Sequence, residues 1–217
     1  MKQARIWDLP IRVFHWLLPV LIIFSWYSAE NHHLDWHRYS GYGLMGLLFF
    51  RLFWGVWGTY SARFTSFIRG PATLHRYLKG ESPEQTELSH NPIGGWSIVA
   101  MLLVLGLQIA TGLFAVDVDG LESGPLAYLV SFDGGRLLAD IHELSFNVLL
   151  GLIALHLVAV LWYDVIRKQR LLPAMVHGRR PLQSALPNGF YVGRYRLLAT
   201  LCLSAILVWL ISSGLRF

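Results

Sequence analysis

Residues 139–163 read ADIHELSFNVLLGLIALHLVAVLWY, and the fold of the whole chain follows from this stretch. It carries charge only at Asp140 and Glu143, near its start. A bilayer core needs about 20 apolar residues in a helix, so the stretch is long enough to cross one. It also holds His142 and His156, 14 residues apart. At 1.5 Å per residue they are separated by roughly 21 Å along a helix axis, and at ~100° per residue they project within about 40° of each other. A polar ring nitrogen among apolar side chains is costly unless it has a partner. Two imidazoles on similar faces at two depths therefore need two partners at two depths.

Comparable stretches lie on either side. Apolar segments of spanning or near-spanning length occur at Pro10–Tyr27, Trp36–Trp57, Gly95–Val116 and Leu197–Ser213. Hydrophobic residues make up 54% of the chain and charged residues 14%, which excludes an ordinary soluble domain. The first segment has a basic start, but Trp7, Asp8, Pro10 and His15 interrupt the pattern of a cleaved signal and no small-residue cleavage site follows. It reads as a mature helix. The expected fold class is all-α and integral to the membrane, with five spans in one domain covering residues 1–217.

Lysine and arginine set the orientation. They gather in the N-terminal flank (Lys2, Arg5, Arg12), the second loop (Arg63, Arg69, Arg76, Lys79) and the fourth (Arg167, Lys168, Arg170, Arg179, Arg180, Arg194, Arg196). The first and third loops have one each, Arg38 and Arg136. The N-terminus is therefore expected in the cytoplasm and, with five spans, the C-terminus on the outer side of the membrane. The net charge of +5 reflects this topology and is no sign of nucleic-acid binding.

Two further histidines supply matching depths. His15 lies a few residues into the first segment, at its cytoplasmic end, and His37 at the outer start of the second. The expected pairs are His15 with His156 on the inner side and His37 with His142 on the outer side. Imidazole is a usual axial ligand of haem iron. Four such rings in two pairs point to two haems stacked across the membrane, forming an electron wire. Cys202 is the only cysteine, which excludes an intrachain disulfide, a Cys-x-x-Cys-His attachment site and a cysteine-held cluster. The haems are expected to be b-type, held by histidine without a covalent bond. Arg51 lies 14 residues beyond His37 and needs a counter-charge at that depth. It is expected to bind a propionate of the inner haem, the alternative being a side chain that snorkels to the interface.

At this point the residues carry a resemblance. Trp7-Asp8-Leu9-Pro10-Ile11-Arg12-Val13-Phe14-His15-Trp16, His37-Arg38-Tyr39-Ser40-Gly41, Arg51-Leu52-Phe53-Trp54-Gly55, His90-Asn91-Pro92-Ile93-Gly94, Thr111-Gly112-Leu113 and the His142/His156 pair occur in order. They resemble the bacterial cytochrome b561-type di-haem membrane cytochromes b, a group related to the b-type subunits of nickel–iron hydrogenases. The similarity covers about residues 5–165. It implies a four-helix haem core, bis-histidine ligation and electron exchange with membrane quinone, with the segment at about 197–213 added as a fifth transmembrane helix.

Other residues receive plainer readings. His32 and His33 read as solvated loop residues with a quinone head-group as the alternative, and His75 and His177 as loop residues. His90 with Asn91-Pro92 reads as a turn, while Gln108 and Thr111 either satisfy each other or line a cofactor pocket. The outer loops and their flanks hold eight acids (Glu30, Asp35, Asp117, Asp119, Glu122, Asp133, Asp140, Glu143) against Arg38 and Arg136. Such a field steers in a cationic partner and repels small anions. The expected function is electron transfer between the quinone pool and a periplasmic partner, a c-type cytochrome or a hydrogenase subunit. A stand-alone superoxide:quinone oxidoreductase is the alternative, disfavoured by the acidic face. A haem-handling assembly protein ranks below both.

Overall fold

The computed structural model describes residues 2–81, 88–182 and 186–215. Five long helices dominate: α1 (Leu9–Glu30), α2 (Leu34–Trp57), α5 (Pro92–Phe114), α6 (Phe132–Leu161, continued by a π-helical turn at Trp162–Ile166) and α8 (Arg194–Ser212). Short helices α3 (Phe64–Phe67), α4 (Pro71–Leu78) and α7 (Leu171–His177) fill the connections. Strands β1 (Lys2–Arg5) and β2 (Arg179–Leu182) pair antiparallel, Arg5 opposite Arg179.

The helix starts follow from the sequence. Asp8 caps α1, its Oδ1 accepting from the Ile11 amide at 2.9 Å. Asn91 caps α5, its Oδ1 accepting from the Gly94 amide at 2.6 Å, with Pro92 in the first helical position. Pro19 lies inside α1. The anticipated segments fall on these helices, but α6 begins at Phe132 rather than Ala139, because residues too polar to be read as apolar span still continue the helix.

Among the described residues, four helices are both long and apolar enough to cross a membrane: Leu9–Glu30, Pro92–Phe114, Phe132–Ile166 and Arg194–Ser212. α2 has 24 residues but includes Asp35, Arg38 and Arg51 and is not among them. The long helices expose Val20, Ile23, Leu103, Leu107, Leu155, Val158 and Leu198. Left in water, each would forgo about 1.5–3 kcal/mol of burial, a cost that hydrocarbon removes.

The residues divide into two compact units. The first comprises residues 1–14, 51–100 and 153–200. Its core includes Ile6, Trp7, Trp54, Phe67, Ala174 and Phe190. Asp8 is a polar knot within it, where Oδ2 accepts from Trp54 Nε1 at 2.9 Å and from the Thr59 hydroxyl. The Gly178 carbonyl accepts from the amides of Ile6 and Trp7 at 2.8 and 3.1 Å, and Arg12 donates to the Val176 carbonyl at 2.5 Å. The start of α8 is tied to the end of α2: Trp57 Nε1 donates to the Thr200 hydroxyl at 2.8 Å, and Arg196 to the Trp57 carbonyl at 3.1 Å. The second unit comprises residues 15–50, 101–152 and 201–217, with Ile22, Leu44, Met45, Leu48, Leu105 and Leu149 in its core.

Candidate functional site

Within the second unit, α2 and α6 bring His37 and His142 together, edge to face. Their ring centroids are 6.0 Å apart and their planes stand at 82°. His37 Nδ1 donates to the Ser25 carbonyl at 2.9 Å, with the Ser25 hydroxyl at 3.2 Å. His142 Nδ1 donates to the Gln108 carbonyl at 2.8 Å, with the Thr111 hydroxyl at 3.3 Å. A carbonyl can only accept, so both rings carry a proton on Nδ1. The Gln108 amide donates to His142 Nε2 at 3.0 Å, and its Oε1 accepts from the Ser145 hydroxyl.

The rings share a cavity of about 270 Å³. Leu44, Leu105, Phe146 and Leu149 contribute apolar wall, and Glu30, Arg38 and Glu143 contribute charge. Arg38 is also held by ion pairs to Asp35 at 2.7 Å and Glu122 at 3.1 Å. Gly112 makes room for His142. A Cβ there would lie 2.7 Å from His142 Cε1 and 3.0 Å from Nδ1, closer than a side-chain carbon tolerates.

The residues fit an iron porphyrin. Imidazole is a usual ligand of haem iron, and His37 and His142, with ring centroids 6.0 Å apart, are the residues that would hold it here. Metal-bound histidines usually donate their second nitrogen to a carbonyl or carboxylate, as both rings do here. Among the described residues no group of three or more histidine, cysteine or acidic side chains could hold a bare ion. A porphyrin supplies four of the iron's ligands itself, so two histidines suffice.

The other expected site residues are placed as follows. His15 lies on α1 in the second unit, half-buried, its ring edge-on to Trp16 at 5.1 Å. His156 lies half-buried on α6 in the first unit. Arg51 is buried in the first unit, donating to the Ala62 carbonyl at 3.0 Å. Its guanidinium lies 4.6 Å from the Phe64 ring centre and 5.7 Å from that of Phe67, and Asp8 acts on it as a nearby negative charge. Outside the spans, the Tyr77 hydroxyl on α4 meets Tyr163 at 3.3 Å, and burial, reinforced by that hydrogen bond, pushes its pKa up to about 12.

The sequence profile of prokaryotic cytochrome b561 matches residues 6–178. The chain belongs to that family. No curated protein and no solved structure matches it. Members of the cytochrome b561 family carry electrons in the membrane by means of b-type haem, and the four apolar helices make this chain a multi-pass membrane protein of that kind. Two parts of the site were not legible in the sequence. Ser25 and Ser145 gave no signal, because their roles depend on which helices meet. Asp8 lay in a matching motif, but nothing in the spacing joined it to Trp54 and Thr59.

Proposed function

We propose that this cytochrome b561 passes electrons across the bacterial inner membrane, between the quinone pool and a periplasmic redox partner, using two b-type haems. The observation that carries the reading is the pair His37 and His142, with ring centroids 6.0 Å apart and each Nδ1 held by a backbone carbonyl; an iron bound to His142 would take the place of the Gln108 amide at Nε2. His37 and His142 would hold the outer haem, and His15 and His156 the inner one. The inner pair rests on the depth argument from the sequence. Bound haem would supply one-electron chemistry. The Ser25 and Gln108 carbonyls orient the rings and enrich their lone pairs. The apolar wall of Leu44, Leu105 and Leu149 keeps water out and so tunes the potential. Arg51 is proposed to steady a propionate of the inner haem in addition to its contacts with the chain.

The topology proposal has support inside the first unit. β1 pairs with β2, so the N-terminus and the α7–α8 connection lie on one side of the membrane. An even number of crossings must separate them. α1, α5 and α6 alone would give three, and α2 as a further span gives four. α8 then makes a fifth crossing in a single membrane domain. The basic residues near β1 and β2 favour the cytoplasm for that side, which would leave the C-terminus in the periplasm.

The test uses purified protein in lipid nanodiscs. Pyridine haemochrome analysis is expected to give two haems b per chain. Quinol is expected to reduce them, and a soluble c-type cytochrome to reoxidise them. Oxidation of superoxide with quinone reduction, and no exchange with the cytochrome, would replace this reading with the oxidoreductase alternative. A stoichiometry below two would overturn the two-haem arrangement.

A further inference from the structure

The segment joining α5 to α6 forms a small hairpin at the end of the second unit. Val116 bridges to Ser123 in antiparallel fashion, and the Asp117 amide donates to the Glu122 carbonyl at 3.0 Å. Gly120, at φ +72°, turns the tip. The base is pinned to the end of α5, where the Gly124 amide donates to the Ala115 carbonyl and the Leu126 amide to the Leu113 carbonyl, both at 2.9 Å. Gly124 packs so closely on the Gly112 and Leu113 carbonyls that no side chain fits there. Arg136 adds a bond to the Val116 carbonyl at 3.0 Å.

A hairpin held this firmly has an unexpected tip. Leu121 is 84% exposed and Val118 72%. The exposed leucines of the long helices are explained by lipid, but these two are not. They sit in a loop among Asp117, Asp119 and Glu122, an acidic setting that the negative phosphates of lipid head-groups repel. The tip is also joined to the haem site. Glu122 pairs with Arg38 at 3.1 Å, and Arg38 lines the cavity shared by His37 and His142.

We propose that the hairpin tip is the docking element for the soluble redox partner, a protein whose exposed cofactor edge has an apolar patch ringed by lysines. This rests on reading the His37/His142 cavity as the outer haem site. Charge complementarity commits the surface to that partner: the acids attract the lysines, and Val118 with Leu121 fill the apolar patch. The two parts have separate kinetic roles. Rim charges govern encounter, and the apolar pair governs residence. A contact of this size is small, as fast electron-transfer encounters require.

The test is stopped-flow reoxidation of quinol-reduced protein in nanodiscs by a lysine-rich soluble cytochrome c, at several ionic strengths. The double variant Val118→Ser/Leu121→Ser is expected to raise the half-saturating cytochrome concentration about tenfold, leaving the salt dependence intact. Asp119→Lys is expected to slow association and flatten the salt dependence. Both positions are exposed, and haem content checks that each variant folds. If the wild type exchanges electrons and the serine variant behaves within twofold of it, the hairpin is not the docking element and the relay reading stands. If the wild type exchanges none, both fall. A fluorophore on Leu121→Cys that is quenched by nitroxide lipids would show that the tip enters the bilayer, which also overturns the proposal.

Discussion

Replacing Gly112 with alanine tests the outer site with a single carbon atom. The new Cβ would stand 2.7 Å from His142 Cε1 and 3.0 Å from Nδ1. It cannot stay there, and α5 and α6 are both long helices, so the smaller movement is rotation of the imidazole. That rotation pulls Nδ1 away from the Gln108 carbonyl, now 2.8 Å distant, and moves Nε2 from its place beside the Gln108 amide at 3.0 Å. Forcing one extra carbon into a packed interior costs about 1–3 kcal/mol. Charged to ligand binding, this weakens haem affinity by roughly 5- to 150-fold, since each 1.4 kcal/mol is a factor of ten. The assay is haem titration of the variant, with redox-resolved spectra to identify the haem affected. Gly41→Ala serves as control, because a Cβ at Gly41 meets nothing within 4 Å although Gly41 lines the same cavity. The outer component is expected to weaken in Gly112→Ala alone. Equal haem affinity in both variants and the wild type would refute the reasoning, and would mean that His142 does not hold the cofactor in the orientation described.

Four other outcomes are expected. His37→Ala and His142→Ala should lose one spectral component and His15→Ala and His156→Ala the other; redox titration checks this, and a grouping of His15 with His142 would contradict the depth pairing. Arg51→Leu should lower the potential of the inner haem, because removing a positive charge favours the oxidised centre; an unchanged potential with full haem content would leave Arg51 with its contacts to Ala62, Phe64 and Phe67 alone. Asp8→Ala should destabilise the protein by about 3–5 kcal/mol, since it removes the acceptor of three hydrogen bonds and leaves buried Arg51 without its nearby negative charge; thermal unfolding in detergent measures this, with Asp8→Asn expected to lie between. The Tyr77 hydroxyl has a raised pKa of about 12 against an ordinary 10.0, so the folded protein holds this proton more tightly; its contribution is full below pH 10 and disappears as the pH rises through 12, and Tyr77→Phe should flatten that limb of the stability–pH curve.

The long helices were legible because lipid solvation writes itself into runs of apolar residues. The short elements were not. β1 and β2 have no apolar alternation, and they form because Lys2–Arg5 meets Arg179–Leu182 from the far end of the chain. α2 shows the opposite case: its length was plain, but Asp35, Arg38 and Arg51 dilute the apolar signal. His37 and His142 were legible as a pair from depth alone. The carbonyls that orient them were not, because a backbone acceptor has no letter in the sequence. Gln108 was open between satisfying Thr111 and lining a pocket. Its side chain lines the cavity and bonds His142 and Ser145, while the Thr111 hydroxyl turns back to the backbone carbonyls of Leu107 at 2.8 Å and Gln108 at 3.1 Å.

The strand pair also has a bearing on biosynthesis. Arg5 leaves the ribosome near the start of translation, and its partner Arg179 follows 174 residues later. At about 5–20 residues per second, the first strand waits roughly 10–35 s for the second. During that interval the Gly178 carbonyl does not yet exist, and the amides of Ile6 and Trp7 must be served by water. Closure of the strand pair therefore has to wait until the chain up to Arg179 has been made, which includes every long helix but α8. Until then the first strand has no partner, so the edge of β1 is the last part of the N-terminal region to be completed.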